Sequence, residues 1–232
     1  MLHPSKRLLL SVGISCLSAF IVCMEVRAEE HRVEVLAEAV AADEVSADIA
    51  GKCAESGIKV VRGSNRTVCE IWPCKEWPLL ADFQPTPTRL YPFAPGQLIG
   101  VIHLPRRGND FRDQQIASGW YTLRFALQPV DGNHVGTSPT QDFLVMIRAA
   151  EDTDPANMDA ESLIAKSAEA AGSSHPAMLC LQPPGEGAAN EPTLDHNEEK
   201  DWWQLRFGGK GKTSDKQSDV IIKVVVAGHA PE

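Results

Sequence analysis

The sequence predicts a mainly β protein, an antiparallel two-sheet β-sandwich of about eight strands with one short helix; a β-barrel is the alternative. Three observations predict it. Short runs of β-branched and aromatic residues recur from Ile58 onward, bounded by Gly, Pro, Asn and Asp. The clearest of them alternates apolar and polar side chains with the period of two that a half-buried strand imposes. Only one segment, near 159–171, combines helical spacing with caps at both ends.

Residues 1–28, MLHPSKRLLLSVGISCLSAFIVCMEVRA, read as an export signal peptide. Lys6 and Arg7 precede an apolar run from Leu8 to Val22, and Val26-Arg27-Ala28 supplies small or apolar cleavage subsites. The run is shorter than the roughly 20 apolar residues of a membrane span. Cleavage therefore leaves no span and an exported protein, periplasmic, in the cell envelope or extracellular; an uncleaved anchor is the alternative. Removing Lys6, Arg7, Arg27 and Glu25 leaves 19 basic against 30 acidic residues, a net charge of −11. Such a chain repels nucleic acid and anionic lipid surfaces, so neither is expected as a partner.

Residues 29–56 are acidic, rich in Ala and free of aromatics, the composition of a disordered leader. A single β-sandwich domain is expected over 57–232. IKVVR and TVCEIW flank Gly63-Ser64-Asn65 and read as a hairpin. The prolines of DFQPTPTRLYPFAPGQ exclude helix and central strand, so this segment should wrap the surface in extended form. LIGVIHL (98–104) is apolar on both faces and suits an interior strand. In GWYTLRFALQ, Tyr121, Leu123, Phe125 and Leu127 share a buried face, whereas Thr122, Arg124 and Gln128 share a wet one. FLVMI (143–147) is another buried strand.

The helix DAESLIAKSAEAAG has Asp159 as N-cap and Gly172 as stop, with Ala160, Leu163, Ile164, Ser167, Ala168 and Ala171 on one face. It buries little area and is expected to plug one end of the sheets. HPAMLCLQ, DWWQLRF and DVIIKVVVAG complete the eight strands, with a long acidic loop, PPGEGAANEPTLDHNEEKD, after the first of these.

Four cysteines survive cleavage, Cys53, Cys69, Cys74 and Cys180, and an even number in an exported chain predicts disulfides. If CEIWPC is extended, Cys69 and Cys74 lie roughly 16 Å apart on opposite faces, beyond the limit of about 7 Å for a bridge. They should pair with Cys53 and Cys180 instead. Neither zinc nor haem spacing is present, and no cofactor is expected.

The stretch QPVDGNHVGTSPTQDF concentrates polar groups between two strands. As a calcium loop it places Asp131, Asn133, Gly136, Thr137 and Asp142 at positions 1, 3, 6, 7 and 12, but Val135 occupies position 5, where an oxygen ligand is required. A hairpin connection explains its Asp-Gly and Pro better. GTSPT lacks the second glycine of a nucleophile elbow. FGGKGKTS lacks the first glycine of a phosphate loop, because Arg206 stands there. No catalytic set and no metal set emerges.

Five tryptophans, Trp72, Trp77, Trp120, Trp202 and Trp203, accompany only two tyrosines. Trp202 and Trp203 must face opposite ways on their strand. Trp120 falls on the wet parity, where a flat ring stacks on a sugar or a partner side chain. The reading is an exported, non-catalytic protein that binds a carbohydrate or an envelope protein, with Trp120, Asp131, Asn133, His134 and Asp142 as candidate ligand-binding residues. The alternative is a metal-dependent hydrolase using Asp131, His134 and Asp142 of the 131–142 loop, joined by His103 and by Asp110 or Asp113.

The block from YPFAPGQLIGVIHLPRRGNDF through IASGWYTLRFALQPVDGNHVGTSPTQDFLVM, with SSHPAMLCLQPP, resembles a family of exported proteins of unknown function from planctomycetes and other environmental bacteria. The likeness spans about Ile58 to His229 and is most specific from Gly119 to Phe143. It implies an exported cell-envelope protein and carries over no catalytic residue. GWYTL is also similar to a β-rich domain of unknown function built around a Gly-x-Tyr-Thr-Leu strand.

Overall fold

The fold, a computed structural model, describes residues 30–128, 138, 140–187 and 191–230. In chain order its elements are β1 (His31–Leu36), α1 (Ala47–Ala50), β2 (Gly57–Arg62), β3 (Arg66–Pro73), β4 (Glu76–Pro78), β5 (Leu98–Leu104), β6 (Gly108–Asn109), β7 (Gln115–Ile116), β8 (Gly119–Leu127), β9 (Asp142–Arg148), α2 (Ala160–Ala171), β10 (Met178–Cys180), β11 (Thr193–Asn197), β12 (Trp202–Lys212) and β13 (Gln217–Ala227). The eight strands expected from alternation and apolar runs are β2, β3, β5, β8, β9, β10, β12 and β13. The chain is mainly β, as expected.

Seven strands form an antiparallel sheet in the order β1-β2-β3-β5-β8-β9-β10, curled into a half-barrel. A second sheet holds β11-β12-β13, and β4 pairs in parallel with the far end of β12. Beyond β10 the chain runs onto the second sheet through a Leu181–Val224 bridge and a 2.8 Å bond from Gln182 N–H to the Lys223 carbonyl. On the other side Trp203 lies between His31 of β1 and His196 of β11, at ring-centroid distances of 4.4 and 4.3 Å.

The concave face of the large sheet is the core. The Pro-rich segment does not simply wrap the surface: it drives Tyr91 and Phe93 inward, both fully buried. Phe93 stacks on Tyr91 and meets Trp77 and Phe125 edge-on. Trp77, whose Nε1 donates to the Ile99 carbonyl at 2.8 Å, lies flat on Gly209. A Cβ at Gly209 would come within 2.5 Å of the indole, and one at Gly211 within 2.6 Å of Leu79 and Val220. The glycines that resemble a phosphate loop are strand residues: Gly209 makes room for Trp77, and Gly211 for Leu79 and Val220.

The convex face differs from expectation. Within the segment 29–56, expected as a disordered leader, the described residues form β1 in register with β2 (His31 opposite Arg62, Leu36 opposite Gly57) and then α1. Val40, Val45 and Ile49 are buried there, the Glu38 carbonyl accepts from Trp72 Nε1 at 2.8 Å, and Ser46 donates to the Thr153 carbonyl. Three well-placed aliphatic side chains and one edge strand suffice to dock a segment whose average composition is that of a solvated tail.

The parity assigned to solvent on β8 is buried: Thr122 and Arg124 are 0% exposed. The segment after β9 folds over them. Arg124 donates through Nε and Nη2 to the two Asp152 oxygens (2.6 and 2.8 Å), through Nη1 to the Gly96 and Ala156 carbonyls (2.6 and 2.7 Å), and through Nη2 to the Asp154 carbonyl (2.5 Å). All five guanidinium donors are used, the condition under which a buried arginine is tolerated.

Helix α2 is capped as expected. Asp159 accepts from Ser162 N–H at 2.9 Å and Gly172 adopts φ 63°. It lies on the convex face against β9 and buries Leu163, Ser167 and Ala170, leaving Ile164 exposed. The alanines bury too little area to set its rotation. Leu163 and a 3.1 Å bond from Ser167 Oγ to the Ala177 carbonyl set it instead.

Candidate functional site

Of the five residues expected to bind ligand, Asp131, Asn133 and His134 lie outside the described residues. The strands flanking them pair directly, Leu127 opposite Asp142, with Gln128 N–H bonded to the Gln141 carbonyl at 2.8 Å. The stretch therefore links two neighbouring antiparallel strands. Asp142 is 0% exposed and holds the Pro-rich segment: its oxygens accept from Leu90 N–H (2.8 Å) and Tyr91 N–H (3.3 Å). Burial raises its pKa above the usual carboxylate range, against those two bonds.

Trp120 is half-buried with its ring faces engaged. His103 stacks on it at 4.2 Å and 11°, and Trp72 leans on it at 5.3 Å. His103 in turn holds Glu70 Oε2 through Nδ1 at 2.8 Å, so Glu70, His103 and Trp120 form a row across β3, β5 and β8. His103 thus engages Glu70 and Trp120 rather than Asp110 or Asp113, the carboxylates offered as its companions in a metal site.

Asp110 ties its own loop to β10, accepting from Arg112 and Gln114 N–H (both 2.9 Å), Gln114 Nε2 (2.8 Å) and Met178 N–H (3.0 Å). Burial raises its pKa too. Among the described residues no group of three or more His, Cys, Asp or Glu side chains is placed to hold a metal ion.

All four cysteines are buried free thiols, which corrects the expected general pairing. Cys69 points into the concave core, in line with Ile71, Ile102 and Tyr121. Cys180 belongs to the opposite face, in line with Phe143 and Ala126, and meets Ser138 Oγ and Gln182 Nε2, each at 3.0 Å. Sitting on opposite faces with three strands between them, Cys69 and Cys180 have no route to each other. Burial pushes their thiols up to about 12 and about 11, far from the range of a nucleophilic cysteine.

One place open to a ligand is the gap between the two sheets at one end. A cavity of about 180 Å³ lies there. Its floor is buried and apolar, made by Cys69, Ile102, Leu104, Met146, Leu179 and Val226. Its rim is exposed and polar: Asn109 at the end of β6, Asp113 on the loop from β6 to β7, and His229 just past β13. The rim is pre-shaped, because Asp113 is held at φ 60° and accepts from Asn109 Nδ2 at 2.5 Å. Sequence reasoning missed this site because its floor is ordinary core spacing and its rim comes from two distant segments.

Among the described residues no helix is long and apolar enough to cross a membrane. In comparisons with known protein families, curated proteins and solved structures, nothing matches the chain.

Proposed function

We propose that the chain is an exported, non-catalytic binding protein of the cell envelope. Its two sheets act as the facing layers of a sandwich that receives an apolar side chain of a protein partner in the end cavity. The observation that carries this reading is an apolar floor beneath an exposed polar rim. Apolar cavities of about 150 Å³ admit a benzene-sized group. Asn109, Asp113 and His229 are placed to bond the backbone flanking an inserted residue. A sugar fits poorly, since its hydroxyls would be buried against apolar side chains without partners, and the ring faces of Trp120 are already occupied. The export signal and the charge of −11 after its removal support the location.

Calorimetric titration tests the reading with indole as the apolar probe, against a panel of neutral monosaccharides. Wild-type protein should bind indole saturably, and Val68→Phe, which narrows the cavity from its half-buried wall, should weaken that binding at least tenfold. Absence of indole binding, or monosaccharide binding that Val68→Phe leaves unchanged, would overturn it.

A further inference from the structure

We infer that Cys53 and Cys74 form a redox-active pair, a modification site where one disulfide closes the open end of the β2–β3 hairpin. The two residues face each other in an antiparallel bridge. Ala54 N–H bonds the Pro73 carbonyl and Lys75 N–H bonds the Lys52 carbonyl, both at 2.8 Å. That pattern makes Cys53 and Cys74 a non-hydrogen-bonded pair, in which alpha carbons approach to about 4.5 Å and side chains project to the same side. The separation falls inside the range a disulfide spans, about 4.4–6.8 Å. Cys69 and Cys180 are excluded from any bridge with each other by lying on opposite faces, so the fold singles out one pair of the four.

The surroundings fit a pair that can open and close. As thiols, Cys53 donates to the Ile49 carbonyl at 3.5 Å and Cys74 to the Leu98 carbonyl at 3.7 Å, weak contacts that little is lost by giving up. Both side chains are buried, yet Cys74 lines two surface clefts of about 310 and 330 Å³. A disulfide donor enters there. Lys52 and Lys75 flank the bridge and favour the thiolate on Cys74 and Cys53 respectively.

The chemistry is thiol–disulfide exchange. The Cys74 thiolate attacks a sulfur of a small-molecule disulfide, the donor S–S bond breaks, and one donor thiol leaves with a proton. The Cys53 thiolate then attacks the Cys74 sulfur of the mixed disulfide, and the second donor thiol leaves. Two protein S–H bonds are lost, one S–S bond forms, and the donor disulfide is reduced to two thiols. Before exchange, burial holds both groups as thiols, raising Cys53 to about 12 and Cys74 further.

The test is peptide mapping of the folded chain, without its first 28 residues, after incubation with oxidised glutathione. The expected product has lost two hydrogens, joins the Cys53 and Cys74 peptides, and leaves Cys69 and Cys180 free. Cys69→Ala and Cys180→Ala should retain the link, and Cys53→Ala or Cys74→Ala should lose it. The oxidised wild type should also melt several degrees higher than the reduced form. Four free thiols after oxidation of folded protein, or a link through Cys69 or Cys180, would overturn the inference. Because the map is made in vitro on wild type, it is independent of the cavity and of whether each variant folds.

Discussion

Arg124 and Asp152 form a buried bidentate pair, 2.6 Å from Nε to Oδ2 and 2.8 Å from Nη2 to Oδ1, on the strand face where alternation predicts solvent. Thr122 Oγ1 adds a third bond to the same carboxylate at 2.5 Å. The pair ties the segment after β9 to the convex face of the large sheet. Removing one partner leaves the other charge buried, so Asp152→Ala should lower stability by about 3–5 kcal/mol. Joint replacement by Arg124→Met and Asp152→Leu should recover part of that loss. Urea unfolding followed by tryptophan fluorescence measures both.

The glycine-rich end of β12 makes room for Trp77. Gly209→Ala puts a methyl group 2.5 Å from its indole and should cost about 1–3 kcal/mol. Gly108→Ala meets no atom within 4 Å and should stay within about 0.5 kcal/mol of wild type. Thermal melts of the two variants separate a packing role from a phosphate-binding one, which would leave Gly209→Ala stable.

Ile49 is fully buried in the segment that composition assigns to a disordered leader. Ile49→Ala should therefore destabilise the whole fold by about 2–5 kcal/mol. Hydrogen exchange should show slowly exchanging amides in β1. Fast exchange throughout 31–56 would return that segment to solvent.

The acid limb of the stability curve carries opposite signs at different aspartates. Asp110 and Asp142 are raised above 3.8, mainly by burial. The folded chain therefore holds these protons more tightly than the unfolded one. Their stabilising contribution is complete below the ordinary aspartate pKa and is lost as pH rises through the raised values. Asp159 is lowered by its bonds from Ser162, so its contribution is present above the ordinary value and is lost as pH falls through the lowered one. Urea midpoints across the acid range should fall less steeply for Asp159→Asn, and more steeply for Asp110→Asn and Asp142→Asn.

The eight expected strands were legible because β-branched runs and turn formers report on local backbone geometry. The edge strand β1 and β11 were not, since they lie in acidic segments whose composition reads as solvated, nor were β4, β6 and β7, which have only two or three residues. Arg124 was misassigned for a physical reason: period two locates a residue's face but says nothing of what later covers that face. Asp152, which decides the matter, lies 28 residues away. Asp142, expected as a ligand-binding residue, gives its oxygens to the backbone N–H groups of Leu90 and Tyr91. For the cysteines, spacing ruled out Cys69 with Cys74, but only register shows Cys53 facing Cys74.

The most direct test of the binding account is a methyl-resolved nuclear magnetic resonance titration with indole. The account predicts saturable shifts in the Ile102, Leu104, Met146, Leu179 and Val226 methyl signals, with the Val145 and Ile147 methyls of the convex face unmoved. Unchanged cavity methyls, or shifts confined to the convex face, would contradict it.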